Sequence, residues 1–295
     1  MKLLVTGREG QLARSLAQRA GPGLELHFTH RPEVDLAVPG SVAQAIRAAS
    51  PDVVVNAAAY TAVDRAEDEP ELAQRINADA AGEAAQAAHE VGAAIIQIST
   101  DYVFDGWAGR AYCEGEPVAP LGVYGRSKLL GEQHVRAANP RHAILRTAWV
   151  FSPFGRNFVR AMMTAAQHRP ELTVVSDQRG SPTSALDLAD AIYALVRLWR
   201  EGSDVGLGRV FHVAGSGVAS WYELAGCTMT ECAALGLPSV PVRPIRTSDW
   251  PTPAARPAFS ALDSRSFAAA TGFVMPGWQS SLRTVVQQIA GAARG

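Results

Sequence analysis

Short apolar runs alternate with longer alanine-rich segments through the first half of the chain. The short runs hold consecutive hydrophobic residues between turn-forming residues, which is typical of strands buried on both faces of a parallel sheet. The longer segments place apolar residues at helical spacing, as amphipathic helices do. The pattern predicts strands at 2–6, 24–28, 52–58, 94–99 and 143–147, and helices at 11–20, 41–49, 71–91 and 124–138.

The second half of the chain is less regular. Residues 173–176 and 210–213 are predicted strands, and 186–200 is a predicted helix between them. Beyond residue 214 glycine and proline become frequent, and the prolines between 238 and 257 exclude one long helix there.

Strands that alternate with helices imply βαβ units, and therefore an α/β fold with a Rossmann-like, doubly wound parallel sheet. We predict a dinucleotide-binding domain at 1–150, with 173–213 returning to its sheet. A smaller, irregular C-terminal substrate lobe would consist of 151–172 and 214–295 and lie over the carboxyl ends of the strands.

Composition narrows the classes of protein. The 295 residues are 47% hydrophobic and 19% charged, which fits a folded globular chain. Lys plus Arg number 27 against 28 for Asp plus Glu, so no basic excess points to a nucleic-acid partner. No apolar run approaches the roughly 20 residues of a membrane span, and the N-terminal apolar run is too short for a signal peptide. Three cysteines without a C-x-x-C pair fit a reducing compartment, so we expect a cytoplasmic protein without membrane partners.

The first strand leads directly into a glycine turn, V-T-G-R-E-G-Q-L-A at 5–13. Gly7 permits a sharp turn, Gly10 leaves room for backbone N–H groups to approach a pyrophosphate, and Ala13 lets the helix lie close. An ordinary βα turn has the same glycines, but the position between the first strand and its helix favours a dinucleotide site.

The end of the second strand bears on which nicotinamide cofactor would bind. It reads H-F-T-H-R at 27–31 and lacks a carboxylate that would hold a ribose 2′-hydroxyl. Arg31 can instead accommodate a 2′-phosphate, which favours NADPH slightly over NADH. The alternative is that Arg31 is a solvated loop residue.

A candidate catalytic group follows from Tyr124 and Lys128, which lie four residues apart and share a helical face. A free phenol has a pKa of about 10, and a neighbouring ammonium together with an oxidised nicotinamide would lower it. Thr100 ends a predicted strand, where its hydroxyl can polarise a substrate carbonyl. The alternatives are a tyrosine packed on a lysine stem, a strand-capping threonine and Asp101 in a turn. Residues 56–61 would form a small-residue ledge beneath the cofactor, or simple close packing.

These motifs together resemble the extended short-chain dehydrogenase/reductase superfamily and, within it, the dTDP-4-dehydrorhamnose reductase family. The resemblance covers nearly the whole chain, and the two motifs nearest the C-terminus separate this family from others that share the Tyr/Lys pair. The matching motifs are G-R-E-G-Q-L-A at 7–13, N-A-A-A-Y-T-A-V-D at 56–64, E-P-E-L-A at 69–73, S-T-D-Y-V-F at 99–104, V-Y-G-R-S-K at 123–128, R-T-A-W-V-F at 146–151, S-D-Q-R-G-S-P-T at 176–183 and P-T-P-A-A-R-P at 251–257.

The resemblance implies an NAD(P)H-dependent oxidoreductase that reduces the C4 keto group of dTDP-4-dehydro-β-L-rhamnose to dTDP-L-rhamnose. This is the last step of dTDP-rhamnose biosynthesis, which serves cell-surface polysaccharides. Tyr124 would donate the proton, Lys128 would assist it and bind the ribose, and Thr100 would stand beside them. Residues expected against the substrate, in a sugar-nucleotide-binding lobe and at the strand ends, are Thr100, Asp101, Trp149 and Arg256. Those expected against the cofactor are Gly7, Gly10, Gln11, Leu12, Arg31, Asp35, Leu36, Ala59, Tyr60, Thr61, Tyr124 and Lys128.

Two departures from the family pattern leave questions open. Thr29 stands where some members have an acidic residue, so the preference between NADPH and NADH is open. Some members hold magnesium at a dimer contact made of glutamates, but no matching glutamates are identified here, so no metal is predicted. A homodimer is a candidate assembly.

Two other functions compete with this reductase. A sibling nucleotide-sugar reductase or epimerase would share the Tyr/Lys pair and differ in the lobe. A non-catalytic regulatory subunit would share the fold, but it has no need of Tyr124, Lys128 and Thr100 together.

Overall fold

A six-stranded parallel sheet forms the centre of the computed structural model, which describes residues 1–292. Its strands are β1 (Lys2–Thr6), β2 (Glu25–Thr29), β3 (Val53–Asn56), β4 (Ala94–Thr100), β5 (His142–Thr147) and β10 (Arg209–His212). The order across the sheet is β10-β5-β4-β3-β1-β2. The chain therefore leaves β1 for β2 and then crosses to β3 on the other side of β1. This reversal opens a crevice at the carboxyl ends of β1 and β3, where such sheets bind ligands.

Helices cover both faces of this sheet. One face carries α1 (Gln11–Arg19), α8 (Ala185–Arg200) and α10 (Arg265–Thr271), and the other carries α2 (Ser41–Ala49), α5 (Ala80–Glu90) and α6 (Val123–Ala138). The alternation along the strands explains the two layers: Leu3 and Val5 enter the first core, whereas Leu4 enters the second. The predicted doubly wound α/β fold is confirmed.

The predicted helix at 71–91 is an uninterrupted helical run with a change of pitch. It begins with α4 (Pro70–Gln74), continues through a π-helical turn (Arg75–Asp79) and ends in α5. A short helix, α3 (Val63–Ala66), precedes it. Such π-helical turns are frequent at functional sites, and this one carries a side chain that reaches the site described below.

The remaining elements build a second core. Its helices are α7 (Phe158–Ala165), α9 (Trp221–Ala234) and α11 (Trp278–Ala292). Three strand pairs accompany them: β6 (Val150–Phe151) with β9 (Thr183–Ser184), β7 (Leu172–Val175) with β12 (Val242–Ile245), and β8 (Arg179–Gly180) with β11 (Ala219–Ser220). The lobe is thus more regular than predicted, because α9 and α11 were not foreseen from its glycines and prolines.

Residues 173–213, which were predicted to return to the large sheet, divide between the two cores. Helix α8 and strand β10 do join it, but β7 pairs with β12 in the lobe. Phe267 and Met275 pack in the core of the large sheet, although 214–295 was assigned to the lobe. Burial of an apolar segment can be read from sequence, but its pairing partner depends on the fold. Elsewhere the proposed domain boundaries stay a prediction.

Within residues 1–292, none of the helices combines the length and apolar character needed to cross a membrane. The same residues contain no group of three or more His, Cys, Asp or Glu side chains arranged to hold a metal ion.

Candidate active site

The glycine turn between β1 and α1 leaves open space at the helix N-terminus. Gly7 adopts a left-handed backbone with φ of 84°, which a side chain would strain. A Cβ on Gly7 would also lie 3.4 Å from the Cβ of Ala58 on the loop after β3. Apart from Gly10 itself and its two chain neighbours, no heavy atom of residues 1–292 lies within 4 Å of the position that a Cβ would occupy at Gly10. An open helix N-terminus with free backbone N–H groups suits the pyrophosphate of a dinucleotide.

The predicted cofactor residues that open α1 have different surroundings. The Gln11 side chain contacts β6 and the residue that follows it, since its amide donates to the Val150 carbonyl at 3.4 Å and accepts from Ser152 at 2.9 Å. The Leu12 side chain is 7% exposed and lies in the sheet core. Leu12 can therefore contact a cofactor only through its backbone.

Basic groups gather where β2 ends. Arg31 is exposed, and the Arg8 guanidinium lies 3.4 Å from the Nε2 atom of His30. Asp35 accepts the N–H of Ala37 at 2.9 Å, which forms a local turn, and Leu36 packs against the core of the second face. Arg8 was missed in the sequence analysis, although its place inside the glycine turn was a signal.

A chain of buried amides and hydroxyls links the strands beneath the crevice. Thr6 donates to Asn56 Oδ1 at 2.8 Å, and Asn56 Nδ2 donates to Gln97 Oε1 at 2.7 Å. Gln97 Nε2 then donates to the carbonyl of Ile98 at 2.9 Å. The Lys128 ammonium donates to the same carbonyl at 2.7 Å. These hydrogen bonds thus connect β1, β3 and β4 to helix α6, and they fix the position of the Lys128 ammonium relative to the sheet.

Tyr124, Lys128 and Thr100 meet at the carboxyl end of β4. Burial lowers the pKa of Lys128 to about 8, and the nearby charge of Glu132 opposes that shift. Burial raises the pKa of Tyr124 to about 12, although a hydrogen bond with Thr100 opposes the rise. In the protein alone, desolvation therefore outweighs the contact with Thr100, and the expected lowering of the phenol pKa by Lys128 together with an oxidised nicotinamide stays a prediction.

Asp101 follows Thr100 directly and is 1% exposed. The Thr100 hydroxyl donates to Asp101 Oδ1 at 3.1 Å, and burial raises the pKa of this carboxyl to about 6. Asp101 therefore lies beside the predicted catalytic residue Thr100 as a buried carboxyl group that desolvation makes harder to ionise.

Asn77, in the π-helical turn, was missed in the sequence analysis. Its Oδ1 accepts the Tyr60 N–H at 2.9 Å, and its Nδ2 donates to the Tyr60 carbonyl at 3.1 Å and to Ser127 Oγ at 3.0 Å. A Cβ on Gly131 would lie 2.1 Å from the Asn77 carbonyl oxygen, so only glycine permits this approach of α6. Asn77 thereby fixes the ledge of Ala59, Tyr60 and Thr61 against the helix that carries Tyr124.

A buried ion pair lies beneath the catalytic residues and was also missed. Glu132 is completely buried, and Arg146 donates to its two carboxylate oxygens at 2.8 Å each. Ser99 donates to the same carboxylate at 2.6 Å. The Glu132 carboxylate therefore links the end of β4 to helix α6. Ser99 directly precedes Thr100 on the strand, and Glu132 lies one turn beyond Lys128 on the helix.

The proline-rich stretch reaches the same region through Arg256. Its guanidinium donates to both carboxylate oxygens of Asp64, at 2.8 and 3.0 Å, and it also interacts with Tyr102. The Tyr102 ring contacts the Tyr124 ring edge-on, with centroids 5.5 Å apart. Trp149 stands beyond the end of β5 and stacks on Trp221 of the lobe. Of the predicted substrate residues, Arg256 is thus connected to the Tyr124 ring through Tyr102, and Trp149 lies against the lobe.

Comparison with known proteins gives consistent matches over the whole chain. Residues 1–290 match the family model described as RmlD substrate binding domain. The dTDP-4-dehydrorhamnose reductase of Sinorhizobium fredii is 44% identical over 97% of each chain. The solved structure of this reductase from Clostridium acetobutylicum has a TM-score of 0.90 at 37% identity, covering 98% of this chain and 100% of that one. The Bacillus anthracis enzyme, solved in complex with NADP, has a TM-score of 0.89 at 34% identity and covers 97% and 99%.

Proposed function

The chain belongs to the dTDP-4-dehydrorhamnose reductase family, and from this premise we propose how its own residues carry out the reaction. The substrate is dTDP-4-dehydro-β-L-rhamnose, whose C4 keto group is reduced to give dTDP-L-rhamnose. The observation that carries the proposal is the convergence of Tyr124, Thr100 and Lys128 at the strand ends beside the crevice. When bound, a reduced nicotinamide cofactor supplies the hydride.

Tyr124 acts as the proton donor. With a pKa raised to about 12, its phenol is protonated at neutral pH, which is the state that a donor requires. Proton transfer leaves a phenolate that burial disfavours, and the ammonium of Lys128 lies on the same helical face to stabilise it. The pKa of Lys128, about 8, keeps that ammonium charged at neutral pH.

Thr100 and Asp101 orient the carbonyl. The Thr100 hydroxyl donates its proton to Asp101 Oδ1, and this contact holds the hydroxyl beside Tyr124. When substrate binds, the hydroxyl turns from Asp101 to the C4 carbonyl oxygen and stabilises the charge that develops there. Trp149 and Arg256 bound the remaining space on the lobe side.

NADPH is the preferred cofactor in this proposal, with NADH as the weaker alternative. The open turn at Gly7 and Gly10 receives the pyrophosphate, as argued above. Arg31 is an exposed residue just after β2, and the Arg8 guanidinium lies beside His30 there, so both are candidates to bind a 2′-phosphate. The absence of a carboxylate at 27–31 removes the group that would favour a free 2′-hydroxyl.

The location and assembly are also proposals. Cys113, Cys227 and Cys232 are free thiols, which agrees with a cytoplasmic enzyme. A homodimer stays a prediction from the resemblance.

The test offers enzymatically generated dTDP-4-dehydrorhamnose with NADPH and NADH in parallel and follows the absorbance of the reduced nicotinamide. We expect cofactor oxidation with formation of dTDP-L-rhamnose, faster with NADPH. An epimerase would interconvert sugars without net oxidation of the cofactor. Binding of NADPH without oxidation, on this substrate, would contradict the proposal and favour another nucleotide sugar or a regulatory role.

A further inference from the structure

Trp149 holds a backbone conformation that tryptophan rarely adopts. Its φ is 48°, in the left-handed region, and the only other non-glycine residue with a positive φ among residues 1–292 is Ser50. Such a conformation costs on the order of 1–3 kcal/mol and persists where the surroundings hold it. Trp149 lies two residues beyond Thr147, which pairs in register with Thr100. The strain is therefore located next to the catalytic residues.

Two lobe residues enclose the Trp149 side chain. The ring of Trp221 stacks on it with centroids 3.5 Å apart and planes 5° from parallel. Gly180 lies against the indole so closely that a Cβ would be 2.5 Å from Cε2 and 2.6 Å from Nε1. The φ of Gly180 is outside the left-handed region, so glycine is required there for space and not for its backbone freedom.

The fold brings these two residues together through a short strand pair. Strands β8 and β11 pair so that Gly180 faces Ala219 and Arg179 faces Ser220. Ser220 caps helix α9, whose first residue is Trp221. The Trp221 indole N–H donates to the side chain of Gln178 at 3.2 Å. The motif at 176–183, which had no assigned role, thus helps to form a slot for the Trp149 side chain. We define this slot by Gly180 and Trp221, and Gln178 of the motif holds Trp221 in place.

Trp149 also joins the two parts of the molecule. It packs against the lobe core and against the cluster of Phe104, Tyr112 and Ala148 beside the sheet. Its ring is only partly buried. A fixed aromatic surface of this kind can bind the apolar face of a sugar ring and exclude water from one side of a site.

We infer that Gly180 and Trp221 are positioning residues, which hold Trp149 as a fixed wall for the sugar ring of the nucleotide-sugar substrate. The inference rests on the proposed function, since it concerns the same site. It concerns the sugar side only, so cofactor binding should not depend on the slot.

The test replaces Gly180 by alanine and uses Gly226→Ala as the matched control. Gly226 lies in α9, and outside its chain neighbours and the adjacent turns of helix backbone no heavy atom of residues 1–292 is within 4 Å of the position of a Cβ there. We expect Gly180→Ala to lower kcat/KM for the sugar nucleotide by on the order of a hundredfold, as a displacement of about 1 Å can. The Kd for NADPH should be unchanged in both variants, and Gly226→Ala should keep the kcat/KM of the wild type.

Circular dichroism supplies a second readout that does not depend on turnover. The stacked indoles of Trp149 and Trp221 should give an exciton couplet in the circular dichroism spectrum of the wild type. This couplet should disappear in Trp149→Phe and in Trp221→Phe. It should weaken in Gly180→Ala and persist in Gly226→Ala. If Gly180→Ala does not fold, Trp221→Leu removes the stack without adding volume and should show the same selective loss of kcat/KM.

The outcomes separate this inference from the proposed function. A wild-type protein that shows the couplet but oxidises no NADPH with this sugar would contradict the proposed function and with it the substrate role of the slot. An active wild type with equal kcat/KM in Gly180→Ala and Gly226→Ala would overturn the positioning role alone. Equal losses of sugar turnover and NADPH affinity would also overturn it, because they indicate a general structural defect.

Discussion

The two ends of the predicted cofactor crevice are built differently. At the catalytic end, formed by Thr100, Tyr124 and Lys128, polar groups are enclosed: Lys128 is 4% exposed and bonded to the Ile98 carbonyl. At the adenosine end, formed by the Gly7–Gly10 turn with Arg8 and Arg31, the charged groups face solvent. The Arg8 side chain is 62% exposed, and its nearest ionic partner, Glu9, lies 3.9 Å away.

We therefore expect the catalytic end to govern turnover and the adenosine end to govern the choice between NADPH and NADH. Buried polar groups interact strongly, and each depends on its partners, so a change at the catalytic end should be costly and specific. Exposed guanidinium groups interact weakly through screened charge, so a change at the adenosine end should adjust affinity by a modest factor. Substitutions are therefore expected to reduce activity much more at the catalytic end than at the adenosine end.

The largest effect is expected for Tyr124→Phe. The substitution removes the proton donor but keeps the ring that contacts Tyr102. We expect kcat to fall by about 10²–10⁴-fold, the usual contribution of a general acid, while the Kd for NADPH stays unchanged. Stopped-flow turnover and a fluorescence titration of NADPH measure the two quantities.

Tyr102→Phe is the matched control for that variant. It removes the hydroxyl of a neighbouring tyrosine that has no lysine four residues after it. It should retain most of the turnover. Wild-type kcat in Tyr124→Phe would exclude the proton-donor role.

The next largest effect concerns the ion pair beneath the site. Glu132→Gln leaves Arg146 buried without its counter-charge, which costs on the order of 3–5 kcal/mol of unfolding free energy. Arg136 binds the same carboxylate from the surface at 2.9 Å, with a side chain that is 41% exposed. Arg136→Ala should therefore cost only about 0–1 kcal/mol. Urea unfolding of both variants measures the two losses of unfolding free energy. Equal losses in Glu132→Gln and Arg136→Ala would show that burial does not determine the strength of these ion pairs.

Much of the catalytic end could be predicted from the sequence because its signals are local. A strand that ends in Thr100, a glycine turn after β1 and a Tyr/Lys pair at helical spacing each lie within a few residues. Periodicity and turn chemistry fix such elements, and the sheet order then brings their ends together.

Glu132 and Asn77 could not be predicted in the same way. A glutamate on an amphipathic helix normally faces solvent, and only the approach of β5 with Arg146 makes this one buried. Asn77 reaches Tyr60 because a π-helical turn changes the direction of its side chain. In the lobe, β7 pairs with a strand about 70 residues away, which no local pattern encodes. Each of these three features depends on a long-range contact.

A smaller, pH-dependent effect follows from Lys128. Its pKa is lowered to about 8, so the ammonium is present below that pH and is lost as the pH rises through it. Without the charge, the phenolate left by proton transfer is no longer stabilised, and kcat/KM should decline above about pH 8. The pKa of Tyr124, raised to about 12, keeps its own titration outside this window. A kcat/KM that stays level up to about pH 10 would show that the charge of Lys128 is not required.

The smallest effect is expected at the adenosine end. Arg31→Ala should lower the ratio of kcat/KM for NADPH over NADH by about fivefold or less, because an exposed charge contributes at most about 1 kcal/mol. The change should arise in the NADPH value alone and should shrink at high ionic strength, since salt screens the interaction with a 2′-phosphate. Arg47→Ala is the control, because Arg47 is an exposed arginine of α2 that pairs with Glu90 and not with the crevice. A ratio equal to that of the control would identify Arg31 as a solvated loop residue. A loss with both cofactors would instead place Arg31 against the pyrophosphate, and Arg8→Ala would then become the decisive measurement of selectivity.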